Sequence, residues 1–149
     1  MNIPTQMHDG APVLHEQQIG LILGHLGHTH RMMREAGLAP ELSHLIELRV
    51  SQINGCGYCV NMHVTNARNN GETDQRLDRL AVWNAVDDFT PAEKAAFAWA
   101  EALTYLDRGV DFAPLRSALR PHYSDLQISL ITSCVAMINL WNRIQMSKH

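Results

Sequence analysis

From Leu14 to Trp141 the apolar residues recur at three- and four-residue intervals, and no stretch alternates with period two. Helical side chains return to one face about every 3.6 residues, whereas strand side chains return every second residue. The spacing therefore predicts an all-α chain. With 149 residues and no internal repeat, the chain has the length of one domain. A domain of this size buries roughly 68–70% of its unfolded surface, so no metal or disulfide is needed merely to hold the fold. The expectation is a single-domain helical bundle of six to seven helices.

Residues Met1 to Pro12 mix proline, glycine and polar side chains without periodicity and read as an N-terminal arm, leaving 13–149 as the helical domain. Helix one carries Ile19, Ile22, Leu23, Leu26 and Met33 and stops at Gly37 and Pro40. Helix two places Leu42, Leu45, Ile46, Arg49 and Ile53 on one face and ends at Asn54-Gly55, where glycine can take the left-handed conformation. A third helix is expected from Cys56 to Asn70-Gly71, and Thr73 can cap a fourth that carries Leu77, Leu80 and Ala81. Thr90-Pro91-Ala92-Glu93 is a capping box with proline at the first helical position, predicting a fifth helix to about Leu106. A short helix is expected from Pro114 to Leu119. A second capping box, Ser124 to Gln127, opens a last helix through Ile131, Cys134, Val135, Ile138 and Trp141.

Charge and composition remove several classes of function. The 12 Lys and Arg are dispersed among 15 Asp and Glu, giving a net charge of −3 with no basic stripe to neutralise phosphates, so nucleic acid is not an expected partner. No apolar run approaches the ~20 residues of a membrane span, and the first residues lack the charged-then-apolar layout of a signal peptide. The chain is therefore expected in the cytoplasm and off the membrane. Three cysteines are too few for a secreted disulfide scaffold, and two of them form a C-x-x-C.

That pair carries the chemistry. Cys56-Gly57-Tyr58-Cys59 begins where a helix begins, so both sulfurs lie in a first turn whose free amides and dipole favour thiolate. His63 follows Cys59 by four residues, and such neighbours lie ~5–6 Å apart at their Cβ atoms, which gives Cys59 a base. Cys56 sits one turn below, near the cap. The expected roles are attack by Cys59 and resolution by Cys56, with His63 as catalytic base. A Cys59 thiolate would take an oxygen from a peroxide to form a sulfenic acid, and Cys56 would condense with it to a disulfide. An alternative is a zinc site in which the two cysteines and His63 are joined by one of His25, His28 or His30. The missing second pair of ligands weighs against it.

Other residues read more plainly. Most of the histidines on helix one belong to a solvated face, and no native metal site is expected there. Gly20, Gly24 and Gly27 suggest close helix packing within or between subunits, at ~1 kcal/mol each in helix propensity. Cys134 lies on the apolar face of the last helix and reads as core. Trp141, Asn142 and Arg143 have no assigned place.

The run S-Q-I-N-G-C-G-Y-C-V-N-M-H from Ser51 to His63 resembles the alkylhydroperoxidase D-like, or carboxymuconolactone decarboxylase, superfamily. The similarity extends through Leu45 to Arg49, Ala67 to Thr73, Phe89 to Glu93 and the stretch ending at Arg143, about two thirds of the chain. The resemblance implies an all-α fold, a redox-active C-x-x-C, no prosthetic group, and assembly into trimers or hexamers. In the family's peroxidase members the second cysteine becomes the sulfenic acid and the histidine four residues on serves its proton relay, matching Cys59 and His63. Two positions depart from that pattern. Tyr58 stands where the peroxidase branch has histidine. His44, twelve residues before Cys56, stands where a relay glutamate is usual. Glu47, one turn further on, can orient His44, so a working but altered relay through His44 is expected.

The expected activity is thus that of a cofactor-free thiol peroxidase or thiol-disulfide oxidoreductase. Its substrate would be a small hydroperoxide, and a dithiol or thioredoxin-like reductant would regenerate it. The alternatives are a carboxymuconolactone decarboxylase-type enzyme and a non-catalytic helical oligomer that binds zinc or senses redox state through the same cysteines.

Overall fold

Side chains that take up free backbone N–H groups set where five of the helices start. In the computed structural model, which describes residues 10–148, seven α-helices and one 3-10 helix form an all-α domain with no strand among the described residues. They are α1 (His15–Glu35), α2 (Pro40–Asn54), α3 (Gly57–Asn69), α4 (Asp74–Arg79), the 3-10 helix (Leu80–Ala85), α5 (Pro91–Tyr105), α6 (Phe112–Leu119) and α7 (Asp125–Met146). Both predicted capping boxes form. Thr90 Oγ1 accepts the Glu93 N–H at 3.2 Å while Glu93 accepts the Thr90 N–H at 2.8 Å, and Ser124 and Gln127 repeat the exchange. A cap of this kind is worth about 1 kcal/mol.

The apolar face of α2 is the centre of the core. Leu45, Ile46, Leu48 and Val50 are almost fully buried, and α2 packs on α3, α5 and α7 at once. Phe97 of α5 meets Phe89 and Trp83 edge-on at 5.3 and 5.8 Å between ring centroids. Each such buried side chain contributes about 1.5–3 kcal/mol by leaving water. Polar ties cross the same layers: Arg49 Nε and Trp83 Nε1 both donate to Glu101 Oε1, at 2.7 and 2.8 Å.

Some boundaries differ from the expectation. The fourth helix ends at Arg79, and Leu80 and Ala81 pass into the 3-10 helix, which is kinked at Val82 (φ −120°, ψ 28°). The short helix starts at Phe112, because Asp111 caps it by accepting the Ala113 N–H at 2.9 Å. Pro114 sits inside its first turn, where a missing N–H is not needed. Helix α1 buries only Met33, and its expected apolar stripe is half covered, with Ile22 exposed. At Gly20, Gly24 and Gly27 no atom beyond the helix's own adjoining backbone lies within 4 Å of where a Cβ would stand, so within the chain these glycines do not serve close packing. The expected N-terminal arm lies, as far as Asp9, outside the described residues. Among the described residues, no helix is long and apolar enough to cross a membrane.

Candidate redox site

The join between α2 and α3 positions the cysteines. Gly55 closes α2 in the left-handed conformation (φ 71°, ψ 27°), its N–H donating to Gln52 O at 3.2 Å while the Cys56 N–H returns to Ser51 O at 3.1 Å. This is the paired closure of a Schellman motif, which favours glycine at the reversal. Cys56 thereby becomes the residue that caps α3, and its sulfur accepts the Cys59 N–H at 3.4 Å. The expected third helix therefore begins at Gly57, with Cys56 just outside it.

Cys56 and Cys59 are joined by a disulfide, with their Cα atoms 5.3 Å apart. Both are buried, at 2% and 1% exposure. In this oxidised form neither sulfur is a thiolate, so neither is available to zinc. His63 follows one turn later on α3 and is also buried. Tyr58, between the cysteines, is exposed.

A buried carboxylate lies at the centre of the histidines. Glu47 of α2, 5% exposed, accepts a hydrogen bond from His44 Nδ1 at 3.2 Å through Oε2. His63 Nδ1 lies 3.2 Å from the same oxygen, but off the hydrogen-bonding direction, and neither ring nitrogen of His63 has a hydrogen-bond partner. The other oxygen, Oε1, faces His30 Nδ1 at 3.5 Å and the Cys134 thiol at 4.0 Å. His30 is fixed from behind by Trp141, whose Nε1–H donates to His30 Nε2 at 2.7 Å.

These contacts set the charges. Burial pushes the Glu47 carboxyl up, but the hydrogen bond from His44, the approach of His63 and the charge of the imidazoles outweigh it and hold the carboxyl at about 2. Burial, aided by Arg34 and His63 and opposed by Glu47, pushes His30 below the usual histidine range. Cys134 is raised well above the usual thiol range, first by burial and then by the Glu47 charge, so it stays an S–H donor.

The site opens onto a cavity of about 270 Å³. His30, His44, Glu47 and His63 line its polar side, Met62, Ile138 and Trp141 its apolar side, and neither cysteine reaches its wall. A groove of about 400 Å³ between α5 and α7 is lined by Leu103, Thr132, Val135, Asn139 and Arg143, and contains no cysteine, histidine or carboxylate. The chemistry points to the smaller cavity. Behind the cysteines, Asn54 Nδ2 donates to Asn139 Oδ1 (3.0 Å) and Asn142 Oδ1 (2.9 Å), while Asn142 Nδ2 donates to Ser51 Oγ (3.0 Å), binding the end of α2 to α7.

Cys56, Cys59 and His63 thus lie together at the start of α3, and His44 meets His63 across Glu47 Oε2, with the two rings 6.5 Å apart between centroids. In the sequence Glu47 pairs with His44 alone, and nothing there puts His30, Trp141 or Cys134 near it. The one local signal was an acidic residue inside the apolar run from Leu45 to Leu48.

Comparison with known proteins places the chain in a family and a fold. The model of the carboxymuconolactone decarboxylase family matches residues 25–102. The uncharacterized protein YdfG of Bacillus subtilis is 40% identical over 103 residues, 69% of this chain and 70% of its own. The uncharacterized protein YnjA of Escherichia coli is 25% identical over 72% of this chain and 58% of its own. A crystal structure of an Agrobacterium tumefaciens protein of unknown function, described as a candidate antioxidant defence protein AhpD, superposes with a TM-score of 0.85 at 31% identity, covering 93% of this chain and 94% of that one. A peroxidase-related protein of Silicibacter, at 22% identity, TM-score 0.67, and coverage of 75% and 59%, shares the fold.

Proposed function

The chain belongs to the carboxymuconolactone decarboxylase family, and from that premise we propose that it is a cofactor-free thiol peroxidase acting on small hydroperoxides. The observation that carries this reading is the Cys56–Cys59 disulfide at the start of α3, one turn from a buried His63 that lies against Glu47. In the reduced protein His63 takes the Cys59 proton. The thiolate attacks the terminal peroxide oxygen, the O–O bond breaks, and His63 returns the proton to the leaving alkoxide as alcohol. Cys59 is then a sulfenic acid. The Cys56 thiol displaces its oxygen as water and forms the disulfide. A dithiol reductant, by thiol–disulfide exchange, takes up the oxidation and restores both thiols.

Glu47 is the positioning residue for His63, and His44, donating to the same oxygen, holds Glu47 in place. The relay is thus His44–Glu47–His63–Cys59, with Glu47 in the role expected for His44. Support from relatives comes from the Agrobacterium protein and its antioxidant description. Decarboxylation of a lactone acid needs no thiol pair, so the cysteines favour the redox reading over the reaction that gives the family its name. Assembly as a homo-oligomer, trimer or hexamer, belongs to the same proposal.

The test is peptide mass mapping of reduced protein after one equivalent of organic hydroperoxide. The expected result is a rapid Cys56–Cys59 disulfide that forms far more slowly in His63→Ala. Thiols that oxidise no faster than free cysteine contradict the proposal.

A further inference from the structure

His63 has a place in the relay, yet its surroundings leave something unexplained. A buried ring nitrogen without a partner costs about 1–3 kcal/mol, and both nitrogens of His63 are in that position at 5% exposure. Nδ1 is not far from an acceptor: Glu47 Oε2 is 3.2 Å away, but the N–H direction misses it. Close approach without hydrogen-bond alignment leaves the Nδ1 of His63 beside a carboxylate oxygen with no shared proton, an arrangement that a cation bound to both would satisfy.

The geometry points to a binding site for a divalent first-row transition ion, with His44, Glu47 and His63 as ligands and neither cysteine involved. One ligand atom from each residue lies within 4.8 Å of the other two. Metal bonds of ~2.0–2.2 Å to nitrogen and oxygen place neighbouring ligands of a tetrahedral ion roughly 3.3–3.6 Å apart. The contacts from Glu47 Oε2 to His44 Nδ1 and His63 Nδ1 are both 3.2 Å, just inside two edges of that tetrahedron, and an ion there would displace the proton that His44 Nδ1 donates to Oε2 in the metal-free site. Two imidazoles and one carboxylate suit Zn(II), Fe(II), Co(II) or Ni(II), are too nitrogen-rich for Mg(II) or Ca(II), and lack the thiolate preferred by Cu(I).

Outer contacts complete the site. Trp141 Nε1 can only donate, so His30 Nε2 accepts and the neutral His30 ring carries its proton on Nδ1. That N–H faces Glu47 Oε1 at 3.5 Å. His30 is therefore a second-layer group that orients the carboxylate, as outer partners of metal ligands do, and not a fourth ligand. The remaining position opens to the cavity of about 270 Å³, where Arg34 on the wall favours an anionic fourth ligand.

This inference does not rest on the peroxidase reading. It uses residues of the same relay, so a bound ion and proton transfer by His63 exclude each other, and metal would inhibit the redox step. Failure to bind metal would leave the peroxidase proposal standing.

The experiment uses tag-free protein in its disulfide form, stripped with chelator and titrated with Zn(II) by calorimetry and with Co(II) by absorption. One ion per chain is expected. The Co(II) spectrum should show visible d–d bands without thiolate charge transfer, and a Cys56→Ser/Cys59→Ser protein should bind equally well. Glu47→Gln and His63→Ala should weaken binding ~100-fold or more, since loss of an outer partner alone costs about 10–100-fold. The exposed pair His25→Ala/His28→Ala should bind as the parent does. Histidine side-chain nitrogen spectra of the unmutated protein, which need no variant to fold, should show Zn(II) shifting the Nδ1 signals of His44 and His63. The inference is overturned if those shifts fall only on His25 and His28, if Glu47→Gln binds undiminished, or if binding requires the cysteines.

Discussion

Glu47→Gln is the sharpest perturbation of the proposed relay, because it keeps the shape of the side chain and removes only its charge. As His63 takes the Cys59 proton it becomes an imidazolium beside a carboxylate. At 3.2 Å and an effective dielectric of about 20, that pair attracts by about 5 kcal/mol. The figure is a ceiling, since His44 donates to the same oxygen and also stabilises the carboxylate. Positioned acid–base catalysis contributes about 10²–10⁴-fold, or about 3–5 kcal/mol, which lies within the ceiling. The glutamine amide also has an N–H that meets another donor, at His44 or at His30, and an unpaired buried donor costs about 1–3 kcal/mol of stability. The assay is rapid-quench alkylation of metal-free, reduced protein mixed with hydroperoxide, counting Cys56–Cys59 disulfide against time. The variant should stay folded, with a modestly lowered denaturation midpoint, and oxidise 10²–10⁴-fold more slowly. A folded variant that oxidises within about threefold of the parent, a difference below 1 kcal/mol, would refute the assignment of Glu47 to the relay.

Other consequences follow from the same contacts. The Glu47 carboxyl titrates at about 2 in the fold against an ordinary 4.5, so as pH falls the unfolded chain takes up this proton first. Its stabilisation is complete above about pH 4.5 and is lost as pH falls toward 2, so urea titrations between about pH 5 and 3 should show the parent losing about 2 kcal/mol more than Glu47→Gln. Equal losses would contradict the charged, buried Glu47. Cys134, buried and held as a thiol, should resist maleimide in folded protein and react fully after unfolding; brisk labelling of the native state would place it elsewhere. Asn142→Ala leaves Asn54 and Ser51 short of a partner and should lower stability by about 2–3 kcal/mol, measured by denaturant unfolding. Gly55→Ala forces a Cβ into the left-handed reversal at φ 71° and should cost about 1–2 kcal/mol in the same measurement.

Helix punctuation was legible because it is local. A threonine followed three residues later by glutamate, or a glycine after an asparagine, acts through groups a few positions apart, and Thr90, Ser124, Gly55 and Thr73 do what their neighbourhoods imply. The start of α6 lies earlier than Pro114 suggests, because proline more often opens a helix than sits at its third position, while Asp111, three residues earlier, carries the capping signal. Part of the site was legible for the same reason, since Cys56, Cys59 and His63 share two turns of one helix, and His44 and Glu47 one turn of another. Glu47 as the meeting point was not. That requires α2 to pack across α3 and α7 and the end of α1 to fold back, bringing His30 and Cys134 to one carboxylate from 17 and 87 residues away, with Trp141 behind His30. No periodicity encodes such a meeting. The apolar stripe of α1 illustrates the converse: its helical spacing is real, but this chain alone leaves it half covered.

The central claim is that Cys59 attacks and Cys56 resolves. A reduced Cys56→Ser protein, given one equivalent of organic hydroperoxide and then dimedone, tests it directly, because the sulfenic acid has no resolving thiol and waits to be trapped. The account predicts a dimedone adduct on Cys59 at near-stoichiometric yield, and none on Cys56 in the matching Cys59→Ser protein. An adduct on Cys56 of the Cys59→Ser protein, or none on Cys59 of the Cys56→Ser protein, would contradict it.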